Sequence, residues 1–328
     1  MKKLLVYALL AIWVFAGLGT QGVQAKGAQQ YGEISFDHVS YLATEIGDRV
    51  AGTTGEELAR DYIYQTFEQL GYQPEVQPFS FSGPNKNKIH SANVTAVKPG
   101  RSKHEIIIGA HYDTVNRVEG VDDNGSGVGV MLEVAEKIQN IDTPYTIRFI
   151  AFGAEETGLR GSNYYVSQMT KPEINHTKAM INLDSLAVGD MRYVHGNAGK
   201  KGWVRELALD ISNELDIDLH VNPGLNPHYP KGTTGDWSDH AAFKEAGIPF
   251  TYFESTNWEI GAQDGYTQTR EHGSIWHNPL KDNMAFIQSE FPGRMKEHLQ
   301  SYSRILTELV QRVQPNSKGQ YMPWLSKQ

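Results

Sequence analysis

Five short segments of the sequence carry histidine or acidic side chains next to apolar runs. They read GAHYD (109–113), GVDDNGSG (120–127), FGAEETG (152–158), INLDS (181–185) and IWHNP (275–279). Imidazole nitrogens and carboxylate oxygens are common zinc ligands, and the chain has no cysteine that would offer a thiolate. Any metal site in this chain must therefore be built from imidazole and carboxylate groups.

The first two segments place their polar groups at useful spacings. His111 and Asp113 are two residues apart on an extended segment, so their side chains point to the same side. Asp113 is therefore placed to accept the hydrogen of the non-liganding ring nitrogen of His111. In the second segment, a turn with a helix cap accounts for one carboxylate but not for both Asp122 and Asp123. Asp123 is the candidate for a carboxylate held between two metal ions.

The remaining segments are weaker when each is taken alone. Glu155 and Glu156 are adjacent carboxylates that repel each other unless a cation lies nearby, and their side chains diverge. One of the two can ligate metal while the other faces substrate, although a solvent-exposed acidic loop is the simpler alternative. A lone Asp184 at a strand end is more often a turn former. His277 stands in a loop, and His240 is its nearest competitor among the 12 histidines.

Strand-like and helical patterns alternate along the chain, which is typical of a parallel sheet covered by helices. We predict a single-domain, three-layer α/β/α fold over residues 30–315 with a mostly parallel mixed central sheet, followed by a tail at 316–328. In open parallel sheets, ligands bind outside the carboxyl ends of the strands. The predicted elements are strands at 74–81, 91–98, 105–110, 146–152, 179–183 and 249–253, and helices at 55–71, 127–138, 204–215 and 294–313.

Composition and the amino terminus limit the class of protein. The chain has 328 residues and a formal net charge of -8, which argues against a nucleic-acid binder. Residues 1–25 have a basic start, an apolar stretch and small residues at Val23 and Ala25, as a signal peptide does. We predict cleavage near Ala25 and a secreted protein, extracellular or periplasmic, with no stable membrane anchor. An uncleaved amino-terminal anchor is the alternative.

Taken together, the motifs GAHYDTV, DDNGSG, FGAEETGLRGS, NLDS and WHNP resemble the secreted bacterial zinc aminopeptidases of the leucyl aminopeptidase type. The wider family includes glutamate carboxypeptidases and glutaminyl cyclases. The resemblance covers residues 100–285, and SDHAAF (238–243) before GIP (247–249) fits it as well. The chain departs from the family pattern at Trp276, where relatives have a different residue before the late histidine, and in the long stretch between Glu254 and His277.

The resemblance implies a zinc-exopeptidase fold, two co-catalytic Zn²⁺ ions and a cis peptide bond between Asp123 and Asn124. It also implies a role for each of seven side chains. One zinc would be held by His111 and Asp184 and the other by Glu156 and His277, with Asp123 bridging the two, Glu155 acting as general base and Asp113 orienting His111.

The implied reaction is hydrolysis of the first residue from peptide or protein amino termini. Three alternatives remain open: a one-zinc glutaminyl cyclase, a carboxypeptidase or dipeptidase, and a binding protein that has lost catalysis. Relatives often stabilise the oxyanion with a tyrosine, for which Tyr252 and Tyr266 are the candidates. The walls of the substrate pocket are expected from loops near 186–195 and 225–236 and from the long loop after Glu254.

Overall fold

The apolar runs of the sequence form one seven-stranded sheet in the computed structural model, which describes residues 30–83 and 85–313. The predicted signal peptide and the predicted tail lie outside these residues. The strands are β1 (Glu75–Ser82), β2 (Lys88–Lys98), β3 (Ser102–His111), β4 (Tyr145–Phe152), β5 (Thr177–Leu183), β6 (Met191–Gly196) and β7 (Phe250–Thr256).

The strands lie in the order β1-β2-β4-β3-β5-β7-β6. The four central strands β4, β3, β5 and β7 are parallel to one another, while β1, β2 and β6 pair antiparallel with their neighbours. The carboxyl ends of the four central strands therefore meet at one edge of the sheet. Three of the five candidate ligand segments, those at 109–113, 152–158 and 181–185, lie at this edge.

Helices cover both faces of the sheet, which confirms the predicted three-layer fold. They are α1 (Glu33–Ser40), α2 (Thr54–Gln69), α3 (Gly127–Ile138), α4 (Arg160–Gln168), α5 (Lys171–His176), α6 (Trp203–Glu214), α7 (His240–Glu245), α8 (Met284–Glu290) and α9 (Arg294–Arg312). The larger core packs α1, α2, α3, α6, α8 and α9 against one face, and a smaller core packs α4, α5 and α7 against the other. Within the described residues, no helix combines the length and apolarity needed to cross a membrane.

Strand β3 illustrates why the central strands read as continuous apolar runs. Ile106 and Ile108 belong to the larger core, whereas Ile107 between them belongs to the smaller core on the opposite face. Successive side chains of a strand point to opposite faces, and both faces are covered here. An alternating pattern is therefore absent, as expected for a buried parallel strand.

Hydrophobic periodicity did not reveal every element. Helices α1, α4, α5, α7 and α8 are absent from the predicted set, and each has only six to nine residues. Residues 186–195 were predicted as a pocket loop, but part of this segment forms the edge strand β6, which pairs with β7. Such short elements contain too few turns or alternations for a pattern to emerge, and tertiary contacts decide their conformation.

Candidate functional site

The carboxyl ends of the central strands carry most of the predicted site residues. His111 is the last residue of β3, Asp184 follows β5, and Glu155 and Glu156 follow β4 by a few residues. Asp123 comes from the turn Val121–Ser126 that precedes α3, and His277 from the long loop after β7. The structure brings all of these side chains, together with Asp113, into one cluster. Five separate segments of the chain thus supply a single site.

The carboxylate of Asp123 lies between two histidines. One of its oxygens is 3.2 Å from Nε2 of His111, and the other is 3.2 Å from Nε2 of His277. A second carboxylate accompanies each imidazole. Asp184 Oδ1 lies 3.5 Å from His111 Nε2, and Glu156 Oε2 lies 2.9 Å from His277 Nε2. The cluster therefore has two halves, each with one imidazole and one carboxylate of its own, and Asp123 faces both halves.

Asn124 fixes the backbone that carries Asp123. Its side chain donates to the carbonyl of Leu183 at 2.9 Å and accepts from the amides of Gly127 at 3.0 Å and Ser185 at 3.2 Å. Asn124 thus ties the start of α3 to the end of β5, beside Asp184. The peptide bond between Asp123 and Asn124 is cis, as predicted.

Gly127 allows α3 and β5 to approach closely at this point. A Cβ atom at Gly127 would lie 2.5 Å from the carbonyl oxygen of Leu183 and 2.4 Å from Oδ1 of Asn124. Both distances are far below van der Waals contact, so only glycine fits without moving the strand or the helix. The second glycine of the DDNGSG motif, Gly127, is therefore required for packing next to the site.

Asp113 contacts His111 through a different atom from the one predicted. Nδ1 of His111 lies 3.2 Å from the backbone carbonyl of Asp113, whereas the Asp113 carboxylate is 3.7 Å away. The carboxylate instead accepts the amide hydrogens of Glu155 at 2.9 Å and Glu156 at 3.2 Å. Asp113 therefore connects the end of β3 to the Glu155–Glu156 segment.

His240, the competing histidine, lies outside the cluster. Its Nε2 is 2.9 Å from the carbonyl of Gly235, and its ring stacks on Tyr252 with centroids 5.0 Å apart. Burial lowers the pKa of His240 to about 4, so this imidazole is neutral at physiological pH. Nearby Ser238 donates to Asp184 Oδ2 at 2.7 Å. The SDH motif thus contacts Asp184 through Ser238 and Tyr252 through His240.

The electrostatics of the cluster show an excess of negative charge. Burial alone would lower the pKa of His111, but the carboxylates of Glu155 and Asp184 raise it well above its usual value. Hydrogen bonds to Asp123 and Glu156 raise the pKa of His277 to about 11. Burial raises the pKa of Glu156 to about 7, and Asp123 beside it adds to this effect. A bound cation would offset this negative charge.

The donor set fits zinc. In each half of the cluster, an imidazole nitrogen, a carboxylate of its own and one oxygen of Asp123 converge, and these are atom types that zinc prefers. The halves also lie close to each other: ligand atoms of His111, Asp123 and Glu156 are within 4.8 Å of one another, as are those of His111, Glu155 and Asp184. In addition, Oε1 of Glu156 is buried without a hydrogen-bond partner among the described residues. A buried carboxylate oxygen of this kind is costly unless a further group binds it.

A cavity of about 340 Å³ opens directly onto the cluster. Beyond the ligand residues it is lined by Tyr229, Trp237, Tyr252, Glu254, Asp264, Tyr266 and Trp276. The segment 225–236 and the loop after Glu254 contribute as predicted. The segment 186–195 does not line the cavity, and part of it forms β6, the outermost strand of the sheet beyond β7.

The two oxyanion candidates occupy different environments. Tyr252 is 2% exposed and lines the cavity from β7. Burial raises the pKa of Tyr252 well above its usual value, assisted by Glu254 and Asp184, so the phenol keeps its proton. Tyr266 is 63% exposed at the rim, with its ring against the edge of Trp276. Of the two, Tyr252 has the fixed position that a hydrogen-bond donor to a reacting group needs.

Comparisons with known proteins give the family of the chain. The model of Peptidase family M28 matches residues 93–303. The alkaline phosphatase isozyme conversion protein of Escherichia coli (strain K12) is 35% identical over 313 residues, covering 86% of this chain and 90% of that protein. Aminopeptidase YwaD of Bacillus subtilis (strain 168) is 32% identical over 228 residues, which are 67% of this chain but only 44% of that protein.

Solved structures share the fold at lower sequence identity. A zinc aminopeptidase from Bacillus subtilis has a TM-score of 0.69 and 20% identity, covering 87% of this chain and 95% of that one. A glutaminyl cyclase from Porphyromonas gingivalis has a TM-score of 0.66 and 19% identity, covering 87% and 99%. These two confirm the predicted fold. On the family match and the sequence relatives, the chain belongs to peptidase family M28, as its motifs predicted, and is an enzyme of the metallopeptidase class.

Proposed function

We propose that this chain is a zinc aminopeptidase that binds two Zn²⁺ ions and removes the first residue from peptide or protein amino termini. The observation that carries the proposal is the position of Asp123, whose two oxygens face two different histidines, each accompanied by a further carboxylate. His111 and Asp184 would hold one ion, Glu156 and His277 the other, and Asp123 would contact both. Two such ions supply a water of lowered pKa and polarise a carbonyl group.

The protein groups perform the remaining steps. Glu155 is 8% exposed, lies within the cluster and lines the cavity, so its carboxylate is placed to take a proton from the attacking water. It then gives this proton to the leaving amine. The carboxylate of Asp113 holds Glu155 in place by accepting the hydrogen of the Glu155 backbone amide. The hydroxyl of Tyr252 donates to the carbonyl oxygen as negative charge develops on it.

The charge of the cavity favours an aminopeptidase over a carboxypeptidase. A carboxypeptidase must bind the carboxylate of the last residue, usually with a cationic side chain. Among the described residues that line the cavity there is no lysine or arginine, and Glu254 and Asp264 add negative charge beyond the ligand cluster. A protonated amino terminus is attracted to such a site, whereas a carboxylate is repelled.

A panel of peptides and aminoacyl-nitroanilides, assayed with and without a chelator, tests the proposal. We expect release of the first residue, loss of activity with the chelator and recovery on adding zinc. The same panel resolves the side-chain preference. Release of the last residue would indicate a carboxypeptidase, and ring closure of amino-terminal glutamine with loss of ammonia would indicate a cyclase. No turnover of any substrate by the zinc-loaded protein would favour a binding protein.

Replacing Tyr252 with phenylalanine is expected to lower kcat by about 10²-fold with little change in KM, because the lost donor acts mainly in the transition state. The phenyl ring keeps the stacking on His240, so folding should be unaffected. Tyr266→Phe, which removes the hydroxyl at the rim, is the matched control with near-normal kcat. Equal and small effects of the two substitutions would remove Tyr252 from the mechanism.

We further propose that residues 1–25 are a signal peptide and that the secreted protein comprises the catalytic domain 30–315 and a short tail. The basic start, the apolar stretch and the small residues before position 26 support this proposal. Amino-terminal sequencing of the exported protein should give Lys26 as the first residue. An intact Met1 on protein held in the membrane would favour the anchor instead.

A further inference from the structure

A buried glutamine joins two parts of the site that are far apart in the sequence. Gln268 is fully buried in the loop between β7 and α8. Its Oε1 accepts the amide hydrogens of Ile275 at 2.7 Å and Trp276 at 3.0 Å. Its Nε2 donates to Oδ2 of Asp122. One side chain therefore binds the backbone just before His277 and the residue just before Asp123.

The orientation of this amide is determined by its partners. Two backbone N–H groups point at the same atom of Gln268, so that atom must be the oxygen, and the nitrogen must face Asp122. The other oxygen of Asp122 accepts the amide hydrogen of Ala187 at 2.7 Å. The backbone carbonyl of Gln268 also accepts from the amide of Asp190 at 3.0 Å. Both the side chain and the backbone of the glutamine are thus tied into this network.

His277 depends on such a tether more than the other candidate ligands do. The side chain of His277 is 50% exposed, whereas those of His111 and Asp123 are 2% and 9% exposed. Packing therefore holds His111 and Asp123 in place but constrains His277 much less. What remains to fix His277 is its backbone, which is held on both sides. The two residues before it donate to Gln268, and Asp282, five residues after it, accepts from the amide of Asp123.

We propose that Gln268 is a positioning residue that sets the separation between His277 and Asp123 and thereby the affinity for the metal ion shared by Glu156 and His277. This inference rests on the proposed two-zinc function. The ion held by His111 and Asp184 takes no ligand from the loop that carries Gln268, since these two ligands lie at strand ends and the shared ligand Asp123 lies in the turn before α3. Substitution of Gln268 should therefore weaken the binding of the ion at Glu156 and His277 and leave the binding of the other ion unchanged.

Reversing the polarity of the Gln268–Asp122 hydrogen bond tests the proposal. Gln268→Glu keeps the acceptor for Ile275 and Trp276 but removes the donor to Asp122, and a hydrogen bond then forms only if one of the two carboxyl groups takes up a proton. Asp122→Asn sets two N–H groups against each other. The double variant restores one donor and one acceptor, because the amide introduced at position 122 can donate to the carboxylate introduced at position 268 while still accepting from Ala187.

Zinc bound per chain, measured by mass spectrometry across a chelator titration, is the readout. For each single variant we expect one ion to bind about 10–100-fold more weakly while the other is retained as in the unmodified protein. The double variant should recover most of the lost affinity. The melting temperature of each metal-free protein reports separately on folding.

Each outcome is decisive. Normal retention of both ions by the single variants overturns the inference, as does equal weakening of both ions or no recovery in the double variant. Failure of both single variants to fold, with the double variant restoring only the fold, would assign Gln268 to stability instead. If the unmodified protein binds no zinc, the proposed function itself fails, and this result is distinct from a failure confined to Gln268.

Discussion

Replacing Glu155 with glutamine is expected to lower kcat by about 10²–10⁴-fold while both zinc ions remain bound. The amide keeps the size of the side chain and its place in the cavity but cannot accept the proton of the attacking water. The effect should fall on kcat more than on KM, because the proton transfer occurs after substrate binds. Steady-state kinetics on an aminoacyl-nitroanilide, combined with zinc analysis of the same sample, checks both parts.

Glu68→Gln provides the control for this experiment. Glu68 is an exposed carboxylate in α2, a helix that does not contribute a site residue, so its replacement should leave kcat unchanged. Near-normal turnover by the Glu155 variant with both ions bound would exclude Glu155 as the base. Loss of zinc from this variant would instead make Glu155 a ligand.

Replacing Asp123 with asparagine is expected to have the largest effect on metal binding. Asp123 faces both histidines, so the loss of its charge affects both halves of the cluster. The two ions would also lose the negative charge that lies between them. We expect less than two zinc ions per chain and a loss of kcat/KM of at least about 10³-fold, equivalent to about 4 kcal/mol of transition-state stabilisation.

Asp37→Asn, at an exposed carboxylate in α1, is the matched control with normal zinc content. Folding of both variants is checked by circular dichroism of the metal-free proteins. Two tightly bound ions and high activity in the Asp123 variant would contradict a bridging role. Loss of only one ion with much activity retained would favour a one-metal mechanism.

The sequence revealed the ligand segments at the strand ends because each of them combines two signals. An apolar run marks a buried strand, and a histidine or carboxylate at its end marks the sheet edge where ligands bind. His111 at the end of β3 and Asp184 directly after β5 are the clearest cases. The parallel arrangement of the central strands then brings these residues together, although they are more than 70 positions apart in the chain.

Residues that act through tertiary contacts gave no such signal. Gln268 is one amide in a polar loop without periodicity, and its partner Asp122 lies 146 residues away. The choice between Tyr252 and Tyr266 depended on which of the two is buried. The sequence does not show this, because tyrosine is found both buried and exposed. For Asp113, the pattern gave the correct neighbour of His111, but the contacting atom depends on how the backbone turns after β3. These features arise only when distant parts of the chain come together.

The number of zinc ions per active chain tests the central claim most directly. Purified protein is stripped with a chelator and titrated with zinc, and bound metal and aminopeptidase activity are measured on the same samples. The position of Asp123 between two histidines predicts that zinc binding saturates at two ions per chain and that full activity requires both. Full activity with one bound ion, or with none, would contradict the two-zinc site.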